Sequence, residues 1–220
     1  MIQHKDQRVG VFVDVQNMYY SARYLYGKHV NFGKVLEAAI AGRRLIRAMA
    51  YVIQTQTQEE QPFFDALSKQ GFEVRSKDLQ IFSGGQKKGD WDVGLAVDTI
   101  RMASKLDVVV IVSGDGDYLP LVDFLQNHGL LVEAVAFGGS SSMKLKERVD
   151  QFTDLSEEPD KYLISPKGKT RLPWVEQSLP RGNGNNGHEG KHQGHEHRPQ
   201  QKQGGRRLNI PFIRNRNGGK

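Results

Sequence analysis

Residues 106–122 read LDVVVIVSGDGDYLPLV, and this stretch decides the fold. LDVVVIV, at 106–112, is the most apolar run in the chain and shows no polar alternation. A strand buried on both faces of a parallel sheet has that pattern. Ser113-Gly114-Asp115-Gly116-Asp117 then supplies turn residues, and 119–127 reads as a helix stopped by Gly129. A buried strand, an acidic turn at its carboxyl end and a following helix make one unit of an α/β domain.

The pattern continues outward in both directions. Upstream, 92–104 is strongly helical, and 79–82 is a short extra strand before a Ser83-Gly84-Gly85 turn. Residues 72–75 read as a third strand. Thr57 with Glu60 is a capping-box pattern that opens a helix bearing Phe63, Phe64 and Leu67, ended by Gly71. Residues 45–53 form a second apolar strand. Asn31 caps a helix through 34–40 that stops at Gly42. RVGVFVDV, at 8–15, is a first buried strand. Downstream, 130–137 is a fifth strand, 140–149 a last helix and 152–155 a small edge strand. This alternation predicts an α/β domain with a parallel sheet and right-handed crossovers.

Composition divides the chain of 220 residues in two. Residues 166–220 hold twelve Lys/Arg and three Glu, with ten of the 24 Gly and five of the eight Pro. Residues 1–165 hold 19 basic and 22 acidic residues, so a mildly acidic domain carries a basic tail. The tail is too polar to seed a core and is expected to be disordered. Its apolar islands, Leu172-Pro173-Trp174-Val175 and Leu208-Asn209-Ile210-Pro211-Phe212-Ile213, are either residual stickiness or short contacts for a protein partner. His188, His192, His195 and His197 can bind a transition metal or simply sit in a solvated linker, the commoner case. There is no cysteine, which excludes disulfides, thiolate metal sites and thiol catalysis. The opening lacks a signal-peptide core, and no apolar run of about 18 residues follows. A cytoplasmic protein without a membrane segment is expected.

The chemistry lies at the strand ends. Parallel sheets bind ligands beyond the carboxyl ends of their strands, where the strand order reverses. Asp14 ends the first strand, Asp115 and Asp117 follow the central one, and Asp92 opens the helix before it, in KKGDWD at 87–92. Crowded carboxylates resist ionising. A hard divalent cation relieves them, and Asp oxygens suit Mg²⁺ or Mn²⁺. No His lies close to these motifs, which disfavours zinc. The expected reaction is metal-assisted phosphodiester hydrolysis. Any one of these aspartates alone reads more often as a cap or turn former. The glycines beside Asp115 would let backbone approach a ligand. Asn17 can orient a water, hold Asp14 or merely cap a helix; Ser113 can bond a carboxylate or phosphate or form a turn. Lys87 and Lys88 can meet a phosphate backbone, and Trp91 and Tyr118 can stack on bases, though solvated loop and core packing are the commoner fates. Asp98 lies about 120° around the helix from Asp92 and can pair with Arg101.

VFVDVQN at 11–17, KKGDWDVGLAVD at 87–98 and VVIVSGDGDYLPLV at 109–122 resemble the NYN domain proteins, more narrowly the bacterial LabA/DUF88 branch. The resemblance runs from about Arg8 to Leu155. It implies a three-layer α/β/α domain of the PIN-like nuclease superfamily, with strand order 3-2-1-4-5 and a metal-dependent ribonuclease site. Asp14, Asn17, Asp92, Asp115 and Asp117 fall on its motif positions, and Asp98 on a recurrent family Asp. The resulting expectation is a Mg²⁺/Mn²⁺-dependent endoribonuclease on single-stranded or flexible RNA, over residues 1–165. Asp14, Asp92 and Asp115 hold the metal, Asp117 is a fourth ligand or orients water, and Asn17 and Ser113 support them. The rival is a non-catalytic RNA-binding or regulatory module, because relatives in this branch are tied to regulatory roles. A Toprim-like or haloacid-type phosphatase is weaker. Toprim chemistry wants Glu where Asp14 stands, and the phosphatases want DxDx[TV].

Overall fold

The computed structural model describes residues 4–55, 60–81, 87–88 and 90–165. Thr57 of the expected capping box, the Ser83-Gly84-Gly85 turn, Gly89 and the whole tail from Pro166 lie outside the described residues.

Six parallel strands form the central sheet: β1 (Arg8–Asp14), β2 (Arg44–Gln54), β3 (Glu73–Asp78), β4 (Val108–Val112), β5 (Leu131–Ala136) and β6 (Gln151–Asp154). Their order is β3-β2-β1-β4-β5-β6. The first five follow the expected 3-2-1-4-5, and the expected edge strand joins beside the fifth. The principal helices are α1 (Val15–Tyr26), α2 (Phe32–Ile40), α3 (Gln61–Lys69), α4 (Asp92–Met102), α5 (Leu119–Asn127) and α6 (Met143–Arg148).

Successive side chains of a strand face opposite sides of the sheet, and here helices cover both. Val9, Val11 and Val13 of β1 pack with Met18 and Ala22 of α1, Val35 and Ala39 of α2, and Leu67 of α3. Phe12 of β1 and Ile111 of β4 face the other way, toward Leu95 of α4, Leu125 of α5 and Leu145 of α6. β4 therefore has both faces inside, and each of its five residues is fully buried. That explains the unbroken apolar run.

Several boundaries differ from the sequence reading. The first strand ends at Asp14, and Val15 opens α1, a helix that the strand-and-helix reading lacks. Asp14 Oδ1 accepts the Asn17 N–H at 3.0 Å, so the residue that ends the strand also caps the helix. Asn31 caps α2 as expected. Glu60 stands just before α3, but its carboxylate turns back to accept from Thr55 N–H and Oγ1–H, at 2.8 and 2.9 Å. The 79–82 strand is Gln80–Ile81, paired antiparallel with Lys87–Lys88 in a separate ribbon. α4 stops at Met102, where a 3-10 turn takes over. α6 begins at Met143 because Gly138–Ser140 is a 3-10 turn.

One buried ion pair fastens α2 to the sheet. Arg43 donates to both carboxylate oxygens of Glu133 in β5, at 2.6 and 2.8 Å, and to the Ala39 and Ile40 carbonyls that end α2. No helix among the described residues is long and apolar enough to cross a membrane.

Candidate functional site

The parallel order sets the carboxyl ends of β1 and β4 side by side, since the two strands pair directly from Val9↔Val108 to Val13↔Val112. Asp14 stands at the first of these ends, and Ser113-Gly114-Asp115-Gly116-Asp117 leads away from the second. Asp92, the first residue of α4, meets them through a tyrosine. Tyr118 closes the 3-10 turn Gly116–Tyr118. Its ring packs in the same core as Phe12 and Leu95, 2% exposed. Its hydroxyl lies 3.3 Å from Asp14 Oδ2 and 3.1 Å from Asp92 Oδ1.

This bridge is under-supplied. A tyrosine hydroxyl carries one hydrogen, so it donates to one carboxylate at a time. The other faces a lone pair. Burial pushes the Asp14 carboxyl up to about 6, helped by the charges of Asp92 and Asp115 and opposed by the Asn17 N–H and the Tyr118 hydroxyl. Asp92 is also raised, by burial first and then by Asp90, Asp115 and Asp117, with Tyr118 opposing. Tyr118 itself is held strongly toward its neutral form by burial and by the two acids beside it. Such a cluster holds excess negative charge, which a proton or a cation would balance.

The remaining residues fix the loop. Asn17 Oδ1 accepts the Gly114 N–H at 3.0 Å, so this side chain fastens the loop to α1. Asp115 Oδ1 accepts the Asp117 N–H at 3.0 Å, and the Asp115 N–H donates to the buried Ser113 Oγ at 3.2 Å. Asp117 is exposed. The glycines have a different use from the expected one. A Cβ on Gly114 would stand 2.5 Å from Ser141 Oγ and 3.0 Å from Ser141 Cα, and one on Gly116 would stand 2.9 Å from Ser142 Oγ. They admit the neighbouring loop, which the Ser142 N–H pins to the Gly114 carbonyl at 2.8 Å.

Other candidates are placed elsewhere. Asp98 accepts from the Tyr51 hydroxyl at 3.3 Å and pairs weakly with Arg101, as its helical offset suggested. Trp91 donates its indole N–H to the Val52 carbonyl at 2.7 Å and packs against Gly94, so it serves as packing at the start of α4. Lys87 and Lys88 are described only as backbone in the ribbon. A cleft of about 640 Å³ opens instead at the amino ends of β1, β4 and β5, lined by Gln7, Asp107, Phe124 and His128. Its carboxylate, Asp107, is neutralised by Arg8 at 2.7 Å, so the cleft lacks the unbalanced charge of the aspartate edge.

The donor set at that edge consists of carboxylate oxygens, which suits a hard divalent cation. Among the described residues, no three His, Asp or Glu side chains are grouped as a ready-made cation site. Asp14 and Asp92 are brought together, while Asp115 reaches them through its field and is tied to its own turn. The bridging role of Tyr118 is absent from the sequence reading, which weighed only base stacking and core packing. Its position directly after the acidic turn was the one signal that pointed to it.

The family model described as the NYN domain matches residues 8–157. The low amplitude and bright protein LabA of Synechococcus elongatus is 26% identical over 180 residues, spanning 74% of this chain and 96% of that protein. The crystal structure of a protein of unknown function from Vibrio parahaemolyticus superposes with a TM-score of 0.67 at 31% identity, covering 74% of this chain and all of the other.

Proposed function

We propose, from the premise that this chain belongs to the NYN domain family, that it is a metal-dependent endoribonuclease whose site is the aspartate edge around Tyr118. The NYN domain is part of the PIN-like nuclease superfamily, whose members generally use divalent metals. The observation that carries the reading is the pair Asp14 and Asp92 sharing one hydroxyl hydrogen, both with raised proton affinity.

Asp14 and Asp92 would hold Mg²⁺ or Mn²⁺, with Asp115 and Asp117 completing the set. The bound ion would supply a polarised water and neutralise phosphate charge. The chain's own residues set the stage for that chemistry. Tyr118 spaces and orients the first two carboxylates. Asn17 and Ser113 hold the Gly114–Asp117 loop at its distance from β1. Asp117, being exposed, is placed to meet solvent and can direct the attacking water. The acidic edge repels RNA, so the basic segment after Ser165 supplies nonspecific attraction to the phosphate backbone. Single-stranded or flexible RNA is the substrate class in this reading.

A second reading, a regulatory module that binds RNA without cutting it, is favoured by one observation: the carboxylates form a bridged pair, not a three-ligand group. Incubating purified protein with labelled single- and double-stranded RNA and DNA, with and without Mn²⁺, separates the two. Mn²⁺-dependent cutting of single-stranded RNA that vanishes in Asp14→Asn supports the nuclease. Binding without cutting under every metal supports the module, and undiminished cutting by Asp14→Asn removes the site.

A further inference from the structure

Asp14 and Asp92 are held in different ways. Asp14 ends a strand of the sheet and accepts the Asn17 N–H. Among the described residues, Asp92 has one side-chain hydrogen bond, to the Tyr118 hydroxyl that Asp14 also faces. Its place is therefore set by the backbone that carries it, at the first residue of α4. The residue before it, Trp91, stands at the cap position, yet its side chain caps nothing. Ser, Thr, Asp or Asn would serve there as a cap.

Trp91 is fastened to the sheet instead. β1 ends at Asp14, opposite Tyr51 of β2, while β2 runs on to Gln54. The Val52 carbonyl, one residue past the end of β1, accepts the Trp91 indole N–H at 2.7 Å. The Tyr51 ring lies beside the indole, with centroids 5.3 Å apart. Lys77 of β3 places its ammonium 5.8 Å from the indole centre and donates to the Asp90 carbonyl at 3.2 Å. Gly94 of α4 leaves room for the ring, since a Cβ there would stand 2.7 Å from ring Cζ3 and closer still to Cε3. Two strands and one helix thus grip the residue that precedes Asp92.

We infer that Trp91 is a positioning residue: by tying the start of α4 to the Val52 carbonyl, it sets the separation of Asp14 and Asp92, and with it the affinity of the aspartate edge for a divalent cation. The inference rests on the reading that these two carboxylates share the ion. Groups that orient metal ligands without touching the metal are worth roughly 10- to 100-fold in affinity. A ring that only filled space would cost stability when changed and leave the affinity of the folded protein as it was.

The test is Mn²⁺ affinity in the full chain, read by electron paramagnetic resonance of the free ion, beside urea unfolding in chelator. Trp91→Phe keeps a ring and removes the indole donor. Gly94→Ala favours the helix by propensity but drives its new methyl into the indole. Each should weaken Mn²⁺ binding about tenfold. Combined, they should lose less than the sum of the two, because the smaller Phe ring makes room for the methyl. Val35→Ala, in α2 on the opposite face of the sheet, should lower stability and leave the affinity unchanged. Where Trp91→Phe fails to fold, Gly94→Ala carries the test alone. Unchanged affinity in Gly94→Ala overturns the inference, as does strict additivity of the pair or an equal loss in Val35→Ala. Absence of Mn²⁺ binding in the unmodified chain is a different failure, which removes the shared-cation reading and this inference with it.

Discussion

Asp14 holds a charge that the fold disfavours. Its carboxyl sits at about 6, above its ordinary 3.8, chiefly because it is buried. The folded state therefore binds the proton more tightly than the unfolded state does. In metal-free protein, the group costs nothing below pH 4 and its penalty grows as pH rises from 4 to 6. Each tenfold rise in proton affinity corresponds to about 1.4 kcal/mol, so the penalty at neutral pH is on the order of 3 kcal/mol. Asn caps a helix as well as Asp does. Asp14→Asn is therefore expected to be more stable than the unmodified chain at pH 7.5 in chelator, by about 3 kcal/mol, and close to it near pH 4. Urea unfolding at the two pH values checks this, and equal stability at pH 7.5 would contradict it. Tyr118→Phe should act in the opposite direction. It leaves two facing carboxylates without their shared donor, at a cost of roughly 1–3 kcal/mol in chelator. Mn²⁺ should recover part of that loss if the ion takes over the balancing charge.

Elements differ in how much of themselves their sequences display. β4 was legible because both of its faces are covered, which leaves no polar residue in it. α1 was not legible. Its buried positions Val15, Met18, Tyr19 and Ala22 have helical spacing, but Tyr20 and the 87% exposed Tyr24 blur the stripe, and Val15 also extends the apolar run of β1. The site divides in the same way. The aspartates at strand ends could be expected to share an edge, because parallel order puts them there. The direction of the Tyr118 hydroxyl follows from packing across Phe12 and Leu95, which no local pattern encodes. Glu133 is a third case. Within LVEAVA it reads as an interruption, and its partner Arg43 lies 90 positions earlier. Because the pair is buried and bidentate, Glu133→Ala should destabilise the domain by about 3–5 kcal/mol, leaving the Arg43 charge uncompensated. Thermal or urea unfolding measures it, and a loss below about 1 kcal/mol would mean that the pair behaves as a surface bridge.

At the scale of the whole molecule, charge is segregated. Residues 1–165 are mildly acidic and gather Asp14, Asp92, Asp115 and Asp117 at one sheet edge, and residues 166–220 carry a net +9. If that segment meets RNA, deleting it should flatten the dependence of binding on salt, by about 0.7 in log–log slope for each phosphate it had neutralised. Titrations at several salt concentrations read this out, and an unchanged slope would assign RNA binding to the domain alone. The central claim, that Asp14 and Asp92 share a divalent cation, is tested most directly by counting Mn²⁺ bound per chain, with electron paramagnetic resonance following free Mn²⁺. The account predicts saturable binding in the unmodified protein, lost in both Asp14→Asn and Asp92→Asn while each stays folded. Binding that survives either substitution, or no binding in the unmodified protein, would contradict it.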